Sequence, residues 1–444
     1  MKKCFSCFLI TLTSFISASS QNPLIMDQFT ADPSARVFEG KVYLYPSHDI
    51  PCGKGQGFIG FCMADYHVFS SENLTDWTDH GIIISQNQVP WVDSTSYSLW
   101  APDCIYKDGK YYFYFPARAR GRSPFMSQTI GVAVSDKPYG PFRPGALPIR
   151  GVSGIDPNPF IDRDGQAYLY WASMHRLVAA RLKSNMKELA SEPVEVKDLP
   201  KGFKEGPCLF VRNGIYYFTY PRVANETERI EYAMGDNPMG PFEYKGVIMD
   251  ESPTGCWTNH HSILEYQGQW YLFYHHNDLS PRFDKNRSVR LDSLFFNEDG
   301  TIRKVKPTCR GVGITPADHK IQIDRYSDIN ANGAAVDFLD SLSIEEGWKT
   351  ILSSADAWIR YNRVDFNVVD VKSVQMKARS ETGGFVNIGI NNMHISVISM
   401  VKVPKSEDWE ITYSAIPEKP EGIHDLIISL EDSAKIEIDW IRFE

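Results

Sequence analysis

The chain has 444 residues, 43% of them hydrophobic, and a formal net charge of −9 at pH 7. That length predicts two domains, with cores large enough to make disulfides optional. The acidic balance argues against a nucleic-acid-binding surface.

The chain opens on Lys2-Lys3, an apolar run from Cys4 to Ile16, and Ser17-Ala-Ser-Ser20. A basic start, a short apolar stretch and small residues predict a secretory signal peptide over residues 1–20, hence an exported protein, periplasmic or secreted. The run is too short for a membrane span. Cys4 and Cys7 leave with it. The six remaining cysteines (Cys52, Cys62, Cys104, Cys208, Cys256 and Cys309) are scattered singly without a CxxC pair, which argues against a zinc ribbon. They permit about fifteen disulfide pairings, among which the sequence does not choose.

Five times a glycine then leads into a short aromatic strand: Gly40, Gly109, Gly165, Gly214 and Gly268, at spacings of 69, 56, 49 and 54 residues. Examples are Gly40-Lys-Val-Tyr-Leu-Tyr45 and Gly109-Lys-Tyr-Tyr-Phe-Tyr114. Strand-and-turn repeats of this length predict a five-bladed β-propeller over residues 24–313. Each glycine makes a hairpin turn, so the strand before it runs outward from the axis and its first residues stand near the centre. After Gly313 the pattern changes: 314–323 reads as a linker. Residues 324–444 alternate with period two, as in Lys435-Ile-Glu-Ile-Asp-Trp-Ile-Arg-Phe443, which predicts a β-sandwich. The fold class is therefore all-β.

Candidate catalytic residues follow from the repeats. Asp32 and Asp156 each precede a proline, where aspartate commonly makes a turn. Glu205, at the head of an apolar strand, has no such explanation. All three stand eight or nine residues ahead of their repeat glycines, so the propeller brings them to the axis. Carboxyl groups crowded in a partly dry pocket cannot all ionise; one stays protonated while another stays charged, the pairing that glycoside hydrolysis uses. Asp103, six residues before Gly109, reads as structural. Trp100 offers a flat face for a sugar ring or for packing between blades. Of the pairs His260-His261 and His275-His276, at most one member each can face the axis. Arg290 can orient a carboxylate or make a surface ion pair. Gly55-Gln-Gly-Phe-Ile-Gly60 precedes a strand rather than a helix, which rejects nucleotide binding, and no organic cofactor is expected.

These residues resemble glycoside hydrolase family 43, through Ala31-Asp-Pro33, Trp100-Ala-Pro-Asp103, Gly154-Ile-Asp156-Pro157, Glu205-Gly-Pro207 and the His261 and Arg290 segments. The resemblance implies an inverting enzyme with Asp32 as general base, Glu205 as general acid and Asp156 tuning and orienting the acid. It also implies Trp100, Arg290 and His261 at the sugar, and a calcium ion held at the axis by His261 through water. The expected activity is an exo-acting α-L-arabinofuranosidase on arabinoxylan- or arabinan-type polysaccharide. A β-D-xylosidase, an endo-arabinanase or galactanase, and a non-catalytic sugar-binding propeller are the alternatives. The C-terminal stretch resembles a family 6 carbohydrate-binding module in Trp409-Glu-Ile-Thr-Tyr413 and Ile438-Asp-Trp-Ile-Arg-Phe443, but has Leu352 and Glu437 where a binding tyrosine and asparagine are frequent. Its expected role is therefore packing against the propeller as much as sugar binding.

Overall fold

The structure, a computed structural model, describes residues 21–121, 128–197, 202–368, 370–390, 396–430 and 432–444. The expected leader lies outside the described residues. Five separate antiparallel sheets come first, each with its strands in chain order. Their first strands are Phe29–Phe38, Asp103–Lys107, Ile155–Ile161, Cys208–Arg212 and His261–Tyr266. Each touches the next, and the fifth touches the first, so the sheets close a ring of five blades. The ring is sealed where the N-terminal segment runs along the last blade: Leu24 N–H donates to the Val289 carbonyl (2.9 Å) and Thr30 N–H to that of Arg287 (2.9 Å).

The repeat glycines do what their position requires. At Glu39-Gly40, Asp108-Gly109, Asn213-Gly214 and Gln267-Gly268 both residues have positive φ, the two-residue type I′ hairpin that glycine favours. The aromatic strands that follow are buried on both faces. In Lys110–Arg118, Tyr111, Phe113 and Phe115 pack towards blade one, while Tyr112 and Tyr114 pack towards blade three. Period-two alternation thus feeds two cores at once, and five apolar clusters fill the five gaps between blades.

The last third is a sandwich of a six-stranded and a five-stranded sheet around one core. The expected linker is part of it. Thr315–Pro316 pairs with Trp358–Asp365, Ile321 bridges Ile441, and Ala317, Ile321 and Ile323 are buried in the sandwich core. A stretch without strand periodicity in sequence is ordered here by pairing that is distant along the chain. Leu352 is fully buried, and Glu437 is clamped by Lys349 (2.9 Å) and Arg379 (2.6 Å), so both divergent positions serve the module's interior and its ion pairs. Among the described residues no helix is long and apolar enough to cross a membrane.

Candidate active site

Asp32 and Asp156 occupy the same local structure in blades one and three. The strand register shifts so that Asp32-Pro33 stands opposite Pro46 alone, and Asp156-Pro157 opposite Trp171 alone. These are β-bulges of two residues against one, and proline suits the unpaired position because it has no N–H to lose. Both aspartates have left-handed backbone, φ 45° and 56°, a conformation that costs about 1–3 kcal/mol and recurs at functional sites. Each bulge re-aims its carboxylate out of the sheet and into a cavity of about 220 Å³.

Glu205 reaches the same cavity from blade four. The Gly206 N–H beside it donates to Asp156 Oδ2 at 2.8 Å, which ties the third and fourth blades together at the carboxyl groups. The walls are apolar: Phe58, Ile59, Phe61 and Met63 from one loop, with Trp100 and Trp257. A Cys52–Cys62 disulfide staples that loop, while Cys104, Cys208, Cys256 and Cys309 are free.

The environments of the carboxyl groups differ sharply. Burial opposes ionisation of Asp32, but Arg287 outweighs it, with help from His275, His260 and Ser47, and brings its pKa down to about 2. Arg287 Nη1 donates to Asp32 Oδ1 (2.8 Å) and Nη2 to Oδ2 (3.2 Å), while Ser47 Oγ donates to Oδ2 (2.8 Å). The arginine is itself held by Asp49 through Nε and Nη2, each at 2.9 Å. His275 Nδ1 accepts the Asp32 N–H (3.1 Å), and its Nε2 lies 3.0 Å from the Thr258 carbonyl, which fixes a neutral tautomer with the proton on Nε2. Burial drives its pKa well below the usual histidine range. For Asp156, burial and then the charges of Glu205 and Asp32 raise the pKa well above the carboxylate norm. Glu228 stands behind Glu205. Burial and the Glu205 charge lift it to about 8, against the pull of Lys204, whose Nζ lies 2.9 Å from Glu228 and 3.6 Å from the Trp257 ring centre.

Asp32, Asp156, Glu205 and Trp100 therefore converge as the repeats require. Two expected neighbours do not line the cavity. Arg290 is ion-paired with Asp278 and is not part of the cavity wall; Arg287 takes the inward place, because an odd step of three along an extended chain reverses the facing. Likewise His260 lines the cavity, whereas His261 turns to Thr219 of blade four, with Nε2 2.6 Å from its Oγ1. Among the described residues His261 Nδ1 is buried without a hydrogen-bond partner, a place that a water molecule can take. Asp103 is structural: it accepts from Ser34, from Arg36 Nε (3.0 Å) and from Asn158 Nδ2 (2.9 Å), linking three inner strands.

Sequence reasoning missed Lys204, Trp257, Glu228 and Arg287. Trp257 had a usable signal, since it stands four residues before the inner strand of blade five, much as Trp100 stands three before that of blade two.

The sequence profile of "Glycosyl hydrolases family 43" matches residues 20–302. The chain belongs to glycosyl hydrolase family 43. The profile of "Carbohydrate binding module (family 6)" matches residues 343–444. Among curated relatives, a protein named "Xylosidase/arabinosidase 43A", from Humicola insolens, is 40% identical over 335 residues, covering 64% of this chain and 99% of that protein. A "Beta-xylosidase" from Xylanibacter ruminicola is 38% identical, covering 63% and 97%. The crystal structure of CoXyl43, described as a GH43 β-xylosidase/α-arabinofuranosidase from a compost microbial metagenome, superposes with a TM-score of 0.59 at 38% identity, covering 65% of this chain and 98% of that one. This family 43 protein is thus a glycoside hydrolase acting on O-glycosyl bonds, with a carbohydrate-binding-module domain at its C-terminal end.

Proposed function

We propose that the protein is an exo-acting, inverting hydrolase that removes a terminal α-L-arabinofuranosyl unit from plant cell-wall polysaccharide. The observation that carries this reading is the pairing of opposed environments in one cavity: Asp32 is held ionised by Arg287, while Asp156, beside Glu205, is driven towards its neutral form. Asp32 takes a proton from water as its oxygen attacks the anomeric carbon. Glu205 delivers a proton to the glycosidic oxygen, the carbon–oxygen bond breaks, and the rest of the saccharide leaves as an alcohol. Asp156 positions the acid through its bond to Gly206 N–H and keeps a proton close by. Trp100, Trp257 and the stapled loop supply apolar faces and exclude water. A cavity of about 220 Å³ is smaller than the ~300–1,000 Å³ typical of drug-sized ligand sites and suits a single sugar ring.

Terminal β-D-xylosyl release is the second reading, supported equally by the names of the relatives. The two sugars present similar rings and leaving groups. Calcium on the axis belongs to the same proposal. Among the described residues no trio of acidic or imidazole groups gathers at His261, so that side chain would hold the ion through water. Such an ion supplies positive charge near the carboxylates when bound.

The test is hydrolysis of paired aryl α-L-arabinofuranoside and aryl β-D-xyloside by the parent protein and by Glu205→Gln. Turnover of the arabinoside that collapses in the variant while binding persists supports the proposal. Turnover of the xyloside alone moves the assignment to the second reading. Binding without turnover in the parent contradicts both.

A further inference from the structure

Blade one carries a second group of chemically capable side chains, on the sheet face turned away from the catalytic cavity. His48 is the last residue but one of the strand Lys41–Asp49, and Asp65 and His67 stand in the first three positions of the strand Asp65–Ser71. The register of those strands pairs Val42 with Ser71 and Leu44 with Phe69. Continued, it sets His48 opposite Asp65, with His67 two residues on and therefore on the same face. One ligand atom from each of the three lies within 4.8 Å of the other two, and the group is half-buried.

The arrangement is more specific than a surface ion pair. His67 Nδ1 lies 2.9 and 3.1 Å from the two Asp79 carboxylate oxygens, and Asp79 is itself fixed by Gly81 N–H (2.7 Å) and Gln28 Nε2 (3.2 Å). In the neutral ring with Nδ1–H given to a carboxylate, Nε2 is the nitrogen left for a metal ion, and it lies 4.0 Å from Asp65 Oδ1. Asp65 Oδ1 is also 2.6 Å from His48 Nδ1. A histidine whose far nitrogen donates to an anchored carboxylate is the arrangement that orients imidazole on metal ions. Two imidazoles and one carboxylate make a set suited to zinc-class ions, and less to calcium, which prefers oxygen donors.

We propose that His48, Asp65 and His67 form a binding site for a divalent transition ion, zinc by preference, with water completing a tetrahedral shell and Asp79 as the positioning residue. Opening the His48–Asp65 contact from 2.6 Å and closing the His67–Asp65 contact from 4.0 Å, with the two imidazoles drawn together from within 4.8 Å, reaches the ~3.4 Å ligand spacing of a tetrahedral zinc shell. The site lies on a sensitive strand. Ser47 and Asp49, which flank His48 and face the other way, hold Asp32 and Arg287 respectively. A bound ion would clamp the tip of that strand to its neighbour.

The experiment is calorimetric titration of the chelator-stripped full chain with ZnCl2, repeated on His48→Gln, Asp65→Asn, His67→Gln and Asp79→Asn. One zinc per chain is expected, with an upward shift in Tm at saturation. Affinity should fall at least ~10-fold in each ligand variant, and about 10-fold in Asp79→Asn. Retained aryl-glycoside hydrolysis by the variants shows that they are folded. Substituted Co2+ should give visible d–d absorption that His67→Gln abolishes. Two results overturn the proposal: no zinc heat in the parent, or zinc binding that survives His67→Gln and Asp65→Asn but is lost in His261→Ala, which would place the ion on the axis.

Discussion

Arg287 is the residue on which the charge state of Asp32 depends, and replacing it with methionine separates that role from simple packing. Arg287 is 2% exposed, and its guanidinium bonds two buried carboxylates, Asp32 and Asp49. Removing one partner of a buried pair costs about 3–5 kcal/mol because the other charge is left uncompensated. At ~2–4 °C per kcal/mol for a domain of this size class, Tm should fall by about 5–20 °C. The pKa consequence is more diagnostic. Asp32 stands at about 2 against an ordinary 3.8, a gap equivalent to about 2–3 kcal/mol. Because the folded value is depressed, that stabilisation is fully present above 3.8 and is lost as pH falls through about 2. Without Arg287, burial acts on Asp32 against its remaining partners alone, and its pKa should rise by about 1–3 pH units. The assay is kcat/KM against pH on an aryl glycoside, alongside thermal unfolding. In Arg287→Met the acid limb should move towards neutrality. Adding Asp49→Asn should recover part of the Tm without restoring the limb. A variant with lower activity but an unmoved acid limb would refute the assignment of Asp32 as the ionised base.

Three further outcomes follow from the same geometry. Asp32→Ala should abolish activity even on aryl glycosides with good leaving groups, whereas Glu205→Ala should keep more activity on those than on natural glycosides; equal losses on both substrate types would count against Glu205 as the acid. Gly206→Ala should lower kcat/KM by at least ~10-fold. Its φ is +61°, an added Cβ would lie 2.8 Å from the Pro221 ring, and the shift would loosen the bond that ties Asp156 to the Glu205 segment. Replacing Cys52 and Cys62 with serine should raise KM more than it lowers kcat, because the disulfide holds the loop that carries Phe58, Ile59 and Phe61 and none of the carboxyl groups; steady-state kinetics on the arabinoside and the xyloside would show the split.

The propeller was legible because its signals are local and repeated. A glycine at a left-handed turn followed by alternating aromatics is dictated within eight residues, and five copies multiply the signal. The candidate carboxyls were legible for a related reason, since an offset of eight or nine residues from each glycine brings them to the axis. Facing within a strand was not legible. Arg287 and Arg290 share a segment, and only the register of the last blade, with Asp49 and Asp278 waiting on opposite sides, decides which one turns inward. His260 and His261 differ for the same reason. Segment 314–323 was invisible as strand because its partners, Val364 and Ile441, lie about 50 and 120 residues further on. The Cys52–Cys62 pairing and the His48–Asp65–His67 group likewise depend on how a loop folds and how two strands align.

Single-step hydrolysis with inversion, water activated by Asp32 and the leaving group protonated by Glu205, fixes the configuration of the sugar released. Proton NMR of the anomeric region during the first moments of aryl-glycoside hydrolysis, before mutarotation, tests it most directly. The sugar first released should have the anomeric configuration opposite to the substrate's, and neither Asp32→Ala nor Glu205→Gln should release it at the parent's rate. First release of the retained anomer would require a covalent glycosyl-enzyme and would contradict the roles given to both carboxyl groups.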